Sequence, residues 1–557
     1  MSREELQHIA ERRRAARAAR RCRITVCGGL GCESVAGAAV LERLRATVRD
    51  AGKAEEIEVH LTGCRGLCEA GPIVEVELGD AARRERRLYL RVDEAAAERI
   101  ARAHAEDRPV EDLRSHHDDP FFTRQTPVVL AHAGEIDPED IETCIAAGAY
   151  SALEKALTQM APREVVEEIV RSGLRGRGGA GYPTGLKWST VAKAEGSRKF
   201  VVCNGDEGDP GAFMDRSVLE GDPHEVLEGM AIAGYAVGAD HGYLFVRAEH
   251  PLAIARLRTA IAQAERLHLL GNRILDTPFD FRVDLRIAGG AYVCGEETAL
   301  IASIEGKRGS PRPRPPYPAA SGLWGMPTLI NNVETLANVP AIVAQGSAWF
   351  ASIGTEHSKG TKVFALAGDV VNTGLVEVPM GMTLREIIYD VGGGIPGGRR
   401  FKAAQTGGPS GGCIPARHLD LPVDYESLQA VGTMMGSGGL IVMDESACMV
   451  DVARFFMDFC REQSCGKCVP CRAGTVQLHA ILERITRGAG TRDDLQRMEE
   501  LIELLRATSL CGLGQAAPNP VASTLRWFRD EYLAHVVDRR CPAGVCEMQP
   551  SAVEVPA

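Results

Sequence analysis

The chain has 557 residues, 45% of them hydrophobic and 25% charged, which is enough for several domains, each with its own core. A formal net charge of -11 argues against nucleic acid as a partner, and no run of about 18 apolar residues is present to span a membrane. The 17 cysteines fall into spaced groups in a chain that reads as cytoplasmic, which points to metals or clusters rather than disulfides.

Residues 4–23 are rich in Ala and Arg, lack an apolar core and carry Glu4, Glu5 and Glu11. They read as a solvated helix and not as a secretory signal. Residues 23–27 form a strand pattern that ends in Cys27, with Cys32 beyond a glycine-rich turn. A helix pattern follows through Val40, Leu41, Leu44 and Val48. A second strand, 57–61, leads into Cys64 and Cys68. Paired strands are expected at 73–78 and 88–92, and a closing helix at 95–103. Four thiolates in two pairs suit a cluster or zinc. Zinc ribbons usually place two residues between the members of a pair, whereas these pairs enclose four and three. Glycines 28, 29, 31, 63 and 66 expose N–H groups that can bond to cluster sulfurs. The polar stretch 106–124, with His116 and His117, reads as a linker with solvated histidines.

Residues 172–188, SGLRGRGGAGYPTGLKW, hold six glycines together with Arg175, Arg177 and Lys187. A helix is expected before them (165–169) and a strand after them (200–203). Glycine reaches positive φ without strain and lets backbone approach a ligand closely. Such a loop with cations suits nucleotide phosphates, although it is not the GxGxxG of a βαβ unit. The strand at 200 runs into an acidic loop bearing Asn204, Asp206, Glu207 and Asp209. A further loop at 288–301 carries Tyr292, Gly295, Glu296 and Glu297. This acidic pair suits ribose hydroxyls and amides, which need acceptors; the plainer reading is a helix first turn. A Pro-rich arm presents Tyr317, and Asn331, Asn332 and Thr335 follow. A strand is expected from 362 and a glycine-closed helix at 384–394.

From 444 the pattern is helical, at 450–461, 474–486, 493–508 and 524–534. Cys465, Cys468 and Cys471 form C-x2-C-x2-C, with Cys511 a remote fourth, a strong [4Fe–4S] signal. Near the end stand His535, Cys541 and Cys546. With Cys460 as fourth ligand they make a candidate Cys3His zinc site that would pin the tail to the helices; the alternative is a free tail with two thiols. Cys22, Cys144, Cys203, Cys294, Cys413 and Cys448 read as packing residues.

The loop GLRGRGGAGYPTGLKW resembles the flavin-binding loop of the NADH-oxidising flavoprotein subunit of respiratory complex I. That family includes the diaphorase subunits of soluble NAD-linked hydrogenases, electron-bifurcating ones among them, and of formate dehydrogenases. The resemblance covers most of the chain and implies a multidomain α/β fold. A basic helix (1–21) would precede a thioredoxin-like [2Fe–2S] ferredoxin domain (22–105) and a linker (106–125). A Rossmann-like FMN- and NADH-binding domain (126–345), a ubiquitin-like β-grasp domain (346–440), a helical [4Fe–4S] domain (441–536) and a cysteine-containing tail (537–557) would follow.

The resemblance also implies ligand sets. FMN would be held by Gly176, Arg177, Gly178, Gly179, Lys187, Asn204, Asp206, Glu207, Tyr292, Gly295, Glu296, Glu297, Asn331, Asn332 and Thr335. NADH would lie against Tyr182, Lys187, Asp209, Glu297 and Tyr317. The [2Fe–2S] cluster would sit on Cys27, Cys32, Cys64 and Cys68. Members of complex I commonly carry Phe where Tyr182 and Tyr317 stand, Glu at the place of Asp209 and an aromatic residue in place of Thr190. In some hydrogenase diaphorases a stretch like CPAGVC continues into a ferredoxin domain; no cysteine follows Cys546 here, so those extra clusters are not expected.

The implied activity is hydride exchange between NAD(H) and FMN, with electrons relayed singly through the clusters. The fused ferredoxin-like segment is closest to the soluble diaphorases. It implies a catalytic formate dehydrogenase or hydrogenase subunit and a small [2Fe–2S] subunit as partners. A second reading is a non-catalytic electron-transfer or assembly module. Asp209 and Thr190 motivate it, and the retained Lys187, Glu296 and Glu297 oppose it.

Overall fold

The computed structural model describes residues 1–79, 85–108, 110–115 and 119–548; His116, His117 and residues 549–557 lie outside them. The first sheet contains β1 (Cys22–Cys27), β2 (Ile57–Thr62), β3 (Val74–Leu78), β4 (Glu85–Tyr89) and β5 (Arg114–Ser115), in the order β2-β1-β3-β4-β5. β1 runs parallel to β2 and antiparallel to β3. The crossover helix Gly37–Asp50 buries Val40, Leu41, Leu44 and Val48, the apolar positions of its sequence pattern. It packs with helix Glu94–Ala105, and every residue of β1 is buried.

Two expectations for this region change. The N-terminal helix Arg3–Ala18 is not merely solvated: Ser2 and Glu5 form a capping box, and Leu6 and Ala10 are buried in the core shared with helix Ile141–Ala147. Residues 106–125 are more than a linker, because β5 pairs with β4 and Phe121 is fully buried.

The central sheet has β6 (Phe200–Gly205), β7 (His241–Arg247), β8 (Arg282–Ala288) and β9 (Thr328–Asn332), all parallel, in the order β8-β7-β6-β9. Helices Met214–Gly221 and Pro223–Val237 connect β6 to β7, and Pro251–Arg266 connects β7 to β8. Of Pro223–Val237 only Tyr235 escapes full burial, because parallel sheets are covered on both faces. The chain moves outward from β6 through β7 to β8, then returns to the far side of β6 as β9. This reversal opens a crevice at the carboxyl ends of β6 and β9, the usual ligand position in such sheets.

A third sheet takes β10 (Thr361–Gly368), β11 (Gly374–Pro379), β12 (Phe401–Thr406), β13 (Gly412–Pro415) and β14 (Gly439–Asp444) in the order β11-β10-β14-β12-β13. The helix expected at 384–394 is a short π-helical turn, Glu386–Val391, closed by glycines with positive φ at 393 and 394. The C-terminal helices are Met449–Gln463, Val469–Thr486, Arg492–Thr508, Gly512–Ala516, Asn519–Trp527 and Arg529–Val536. The single helix expected at 524–534 is broken at Phe528 (φ -126°, ψ 34°), and Tyr532 folds back so that its hydroxyl meets Thr524 Oγ1 at 2.8 Å. Among the described residues no helix is long and apolar enough to cross a membrane.

Candidate functional site

The glycine-rich loop closes over the crevice because its own backbone pairs across it. Helix Pro162–Ser172 ends at Gly173 in the left-handed region (φ 68°). Gly176 N–H then donates to Tyr182 O at 2.8 Å and Thr184 N–H to Leu174 O at 2.9 Å. Between these bonds Gly179 (φ 124°) and Gly181 (φ 63°) adopt backbone that side chains disfavour. A Cβ on Gly178 would stand 3.0 Å from Asn332 Cβ, so loop and strand end meet backbone to side chain. Tyr425, the first residue of helix Tyr425–Ala430, braces the loop: its hydroxyl donates to Gly176 O at 2.7 Å.

Below the loop, Asn204 and Asn332 are register partners at the ends of β6 and β9. Asn204 Nδ2 donates to Gly295 O at 2.9 Å, and Asn331 Oδ1 accepts from Trp188 Nε1 at 2.9 Å. Asn332 caps the following helix by accepting from Thr335 N–H, while its amide donates to Asp215. Thr335 Oγ1 accepts from Arg177 N–H at 2.8 Å. Asp206 is a buried carboxylate with one oxygen, Oδ2, that finds no partner. Burial pushes its carboxyl up to about 7, against the pull of Arg247. A close-approach glycine loop at the end of β9, with an unpaired buried acceptor just past the end of the neighbouring β6, fits a flavin mononucleotide, whose ribityl chain is a row of hydroxyl donors.

Lys187 Nζ bonds to Glu297 at 2.6 Å and to Ile330 O at 3.0 Å, which keeps an ion pair at the crevice. Asp209 accepts from Ser437 Oγ at 3.1 Å and lies beside the Tyr292 hydroxyl; burial raises its carboxyl above the ordinary range. Tyr182 and Tyr317 are exposed, 49% and 58%, so their rings are open to a planar ligand.

Three residues expected to hold FMN also make contacts within the chain. The Arg177 guanidinium is fully buried and donates to the carbonyls of Thr361, Lys359 and Arg175, so its charge braces the loop. Glu207 accepts from Asp215 and Arg216 N–H, both at 3.0 Å, and so caps helix Met214–Gly221. Glu296 accepts from Thr298 and Ala299 N–H and caps Glu297–Ile304, the plainer of its two readings. Three other residues matter here, and the sequence marks only one of them. Asp215, Glu334 and Lys362 are buried and linked: Glu334 N–H donates to Asp215, and Lys362 Nζ pairs with Glu334. A lysine within the apolar run of β10 was the one available hint.

Cys465, Cys468, Cys471 and Cys511 line one small cavity together with Val293 and Pro311. Lys467 and Arg308 tie its rim to the central unit by donating to Pro311 O and Cys465 O. The segment Tyr292–Gly295 therefore touches both places: Gly295 O holds Asn204, and Val293 walls the cysteine cavity.

In the first sheet, Cys27 lies within hydrogen-bond reach of Cys32 and Cys64, and Cys64 of Cys68. Gly66 N–H points at Cys64 Sγ at 3.4 Å. A Cβ on Gly71 would stand 2.9 Å from Cys32 Sγ, so the sulfurs sit against bare backbone. Gly63 packs on Gly221 of helix Met214–Gly221, and Gly66 O accepts from Leu375 N–H of β11 at 2.8 Å.

The ligands gathered at the C-terminus differ from the expected set. Cys448, His535, Cys541 and Cys546 bring their ligand atoms within 4.8 Å of one another. His535 Nε2 is 3.6 Å from Cys448 Sγ and 3.4 Å from Cys546 Sγ, and its Nδ1 is held by Glu531 O at 2.7 Å. Cys460 is not in the group: its thiol is buried 4.0 Å from Pro409 O. Cys448 caps the start of helix Met449–Gln463 while Cys460 lies three turns along it, about 18 Å away at 1.5 Å per residue. Cys448, taken for a packing residue, holds the position assigned to Cys460.

Comparison with known proteins agrees with this arrangement. Residues 169–341 match the Nuo51 FMN-binding domain, 451–535 the NADH-ubiquinone oxidoreductase-F iron-sulfur binding region and 363–414 the SLBB domain. The chain is 57% identical over 423 residues to the NADP-reducing hydrogenase subunit HndC of Solidesulfovibrio fructosivorans, covering 76% of this chain and 86% of that one. It is 47% identical over 416 residues to an NADH-quinone oxidoreductase subunit of Rhizobium meliloti, covering 75% and 99%. Among solved structures, an NAD+-reducing [NiFe]-hydrogenase in the H2-reduced state aligns with a TM-score of 0.67 at 30% identity, covering 95% of this chain and 90% of that one. With the cradle and the cysteine cavity each inside a matched region, the chain belongs to the FMN- and [4Fe–4S]-containing NADH dehydrogenase (diaphorase) subunits shared by complex I and NAD(P)-linked hydrogenases.

Proposed function

We propose that this chain is the diaphorase of a soluble formate dehydrogenase or hydrogenase assembly, joining NAD(H) to a partner that oxidises formate or H2. The observation that carries the reading is the Tyr292–Gly295 segment common to the flavin crevice and the [4Fe–4S] cavity. Bound FMN supplies the exchange between two-electron and one-electron chemistry. The chain's residues supply position and charge. Gly178 and Gly179 admit the phosphate and ribityl chain against bare backbone. Asp206 accepts from ribityl hydroxyls, and Asn204 and Asn332 fix the strand ends on either side. The Lys187–Glu297 pair faces the nicotinamide, Tyr182 and Tyr317 offer stacking faces, and Asp209 accepts from a ribose. No side chain is needed as acid or base.

In the same reading residues 22–105 form a thioredoxin-like domain with [2Fe–2S] on Cys27, Cys32, Cys64 and Cys68, fused to the FMN domain (126–345), the β-grasp domain (346–440) and the helical domain (441–536). Cys448, His535, Cys541 and Cys546 hold zinc, whose tetrahedral preference for N and S ligands matches the set. The Glu531 carbonyl on Nδ1 leaves Nε2 free to face the metal. The protein works in the cytoplasm with a catalytic subunit and a small [2Fe–2S] subunit. NADH-dependent dye reduction by the purified, FMN-loaded chain, followed by identification of co-purifying subunits, tests the reading. Absence of dye reduction would leave only an electron-transfer module, and co-purification with membrane subunits alone would overturn the soluble assignment.

A further inference from the structure

A cavity of about 250 Å³, lined by none of the residues of the redox sites, lies where the N-terminal helix Arg3–Ala18, the first sheet and the central unit meet. Arg13, Arg14 and Arg17 enter it from the helix and Arg23 from β1, and two carboxylates, Glu58 and Glu135, complete the charged wall. His60 on β2 and His132 also line it.

The guanidinium groups are held in place by carboxylates, of which Glu58 and Glu135 stand in the cavity wall itself. Arg13 pairs with Glu58 and Asp140, Arg17 with Glu77 and Glu135, and Arg23 with the same two glutamates. Arg14 Nε donates to Ala146 O at 2.8 Å. These contacts fix orientation without using every donor: the buried Nε atoms of Arg17 and Arg23 have no partner. His60 is only 7% exposed, and neither of its ring nitrogens has a hydrogen-bond partner. A buried polar ring with no partner costs free energy unless a ligand satisfies it. Burial and the surrounding arginines hold this ring neutral, so it offers one N–H donor.

We propose that this cavity binds a small phosphate-class dianion, which clamps the N-terminal helix and the first sheet onto the central unit. Pre-oriented guanidinium forks match tetrahedral oxyanions. The volume lies just under the range of drug-sized pockets and suits a phosphate or one phosphoryl group rather than a dinucleotide. Inorganic phosphate and the phosphoryl end of a nucleotide share this chemistry. The site shares no residue with the flavin cradle. It is built only when the three elements are docked, so ligand binding and docking favour one another.

The test uses the full holoprotein, with FMN and clusters loaded. Its melting temperature is followed against inorganic phosphate, against ADP and against chloride at matched ionic strength, and phosphate binding is measured by calorimetry. The expected result is a saturable rise with phosphate that chloride does not give. With the dinucleotide pocket saturated by NAD+, ADP equal to or better than phosphate identifies a nucleotide source, and phosphate alone identifies the free ion. His60→Leu and the surface variant Arg14→Gln should each weaken phosphate binding at least tenfold and leave NADH-dependent dye reduction unchanged. Equal responses to phosphate and chloride in the unmodified protein would overturn the proposal, as would undiminished phosphate binding in both variants. If His60→Leu does not fold, Arg14→Gln and the unmodified protein decide alone.

Discussion

Lys362 Nζ and the Glu334 carboxylate pair with both side chains fully buried, where β10 of the third sheet meets the helix that follows β9. The same carboxylate accepts from Val363 N–H at 2.9 Å, and Glu334 N–H donates to Asp215, which in turn holds the Asn332 amide. A charge pair inside the protein thus fixes the strand end that faces the glycine loop. Removing one partner leaves a buried charge uncompensated, at a cost of about 3–5 kcal/mol. Lys362→Met should therefore lower stability by that order in chemical denaturation and reduce FMN retention as Asn332 loosens. Full retention of both would show that the pair is not coupled to the cradle.

The cradle depends on missing side chains. Gly178 abuts Asn332 Cβ, and Gly179 has a φ of 124°. Gly178→Val and Gly179→Val should each cut FMN content at least tenfold, read from the flavin absorbance of protein purified with excess FMN, because a side chain at 178 crowds Asn332 and one at 179 strains the backbone. Undiminished yellow colour would place the phosphate elsewhere.

Asp206 gives a pH signature. Burial raises its carboxyl from 3.8 to about 7, so the folded chain holds this proton more tightly than the unfolded one. The contribution to stability is complete below about pH 3.8 and is lost as the pH rises to about 7. At 1.36 kcal/mol per unit the loss is at most about 4 kcal/mol. Asp206→Asn removes the titrating group, so its apoprotein should lose less stability than the unmodified apoprotein between about pH 5 and 7. Denaturation curves that fall in parallel over that window would contradict the assignment.

The two cysteine quartets should titrate out separately. Cys64→Ala should abolish one EPR signal of the NADH-reduced protein and spare the other, and Cys468→Ala should do the reverse. Loss of neither signal in Cys64→Ala would remove the cluster from the N-terminal sheet.

The C-terminal ligand set predicts about one zinc per chain by elemental analysis. Cys448→Ser should lose most of it and lower the melting temperature by several degrees, whereas Cys460→Ala should keep the metal. Zinc retained in Cys448→Ser and lost from Cys460→Ala would reverse the assignment made from the geometry.

Much of this molecule is readable without coordinates, because the relevant signals are local in the chain. The apolar run ahead of Cys27 and the alternation near residue 57 mark β1 and β2. The C-x2-C-x2-C spacing needs only a turn and a helix start to converge, with Cys511 as the remote fourth. Six glycines in seventeen residues announce a backbone that must pass close to something.

What tertiary structure decided were the contacts between distant segments. Arg177 looks like a phosphate ligand in its loop, yet three carbonyls, two of them more than 180 residues away, take its guanidinium. Cys460 reads as the fourth ligand and Cys448 as a packing residue until the start of one helix is laid beside His535, which reverses the two. The N-terminal helix reads as solvated because its few apolar positions are sparse, and burial of Leu6 and Ala10 depends on a partner helix far along the chain. Hydrophobic period and cysteine spacing are set by neighbours a few residues apart; which charge is buried, and against what, depends on long-range packing that no local window contains.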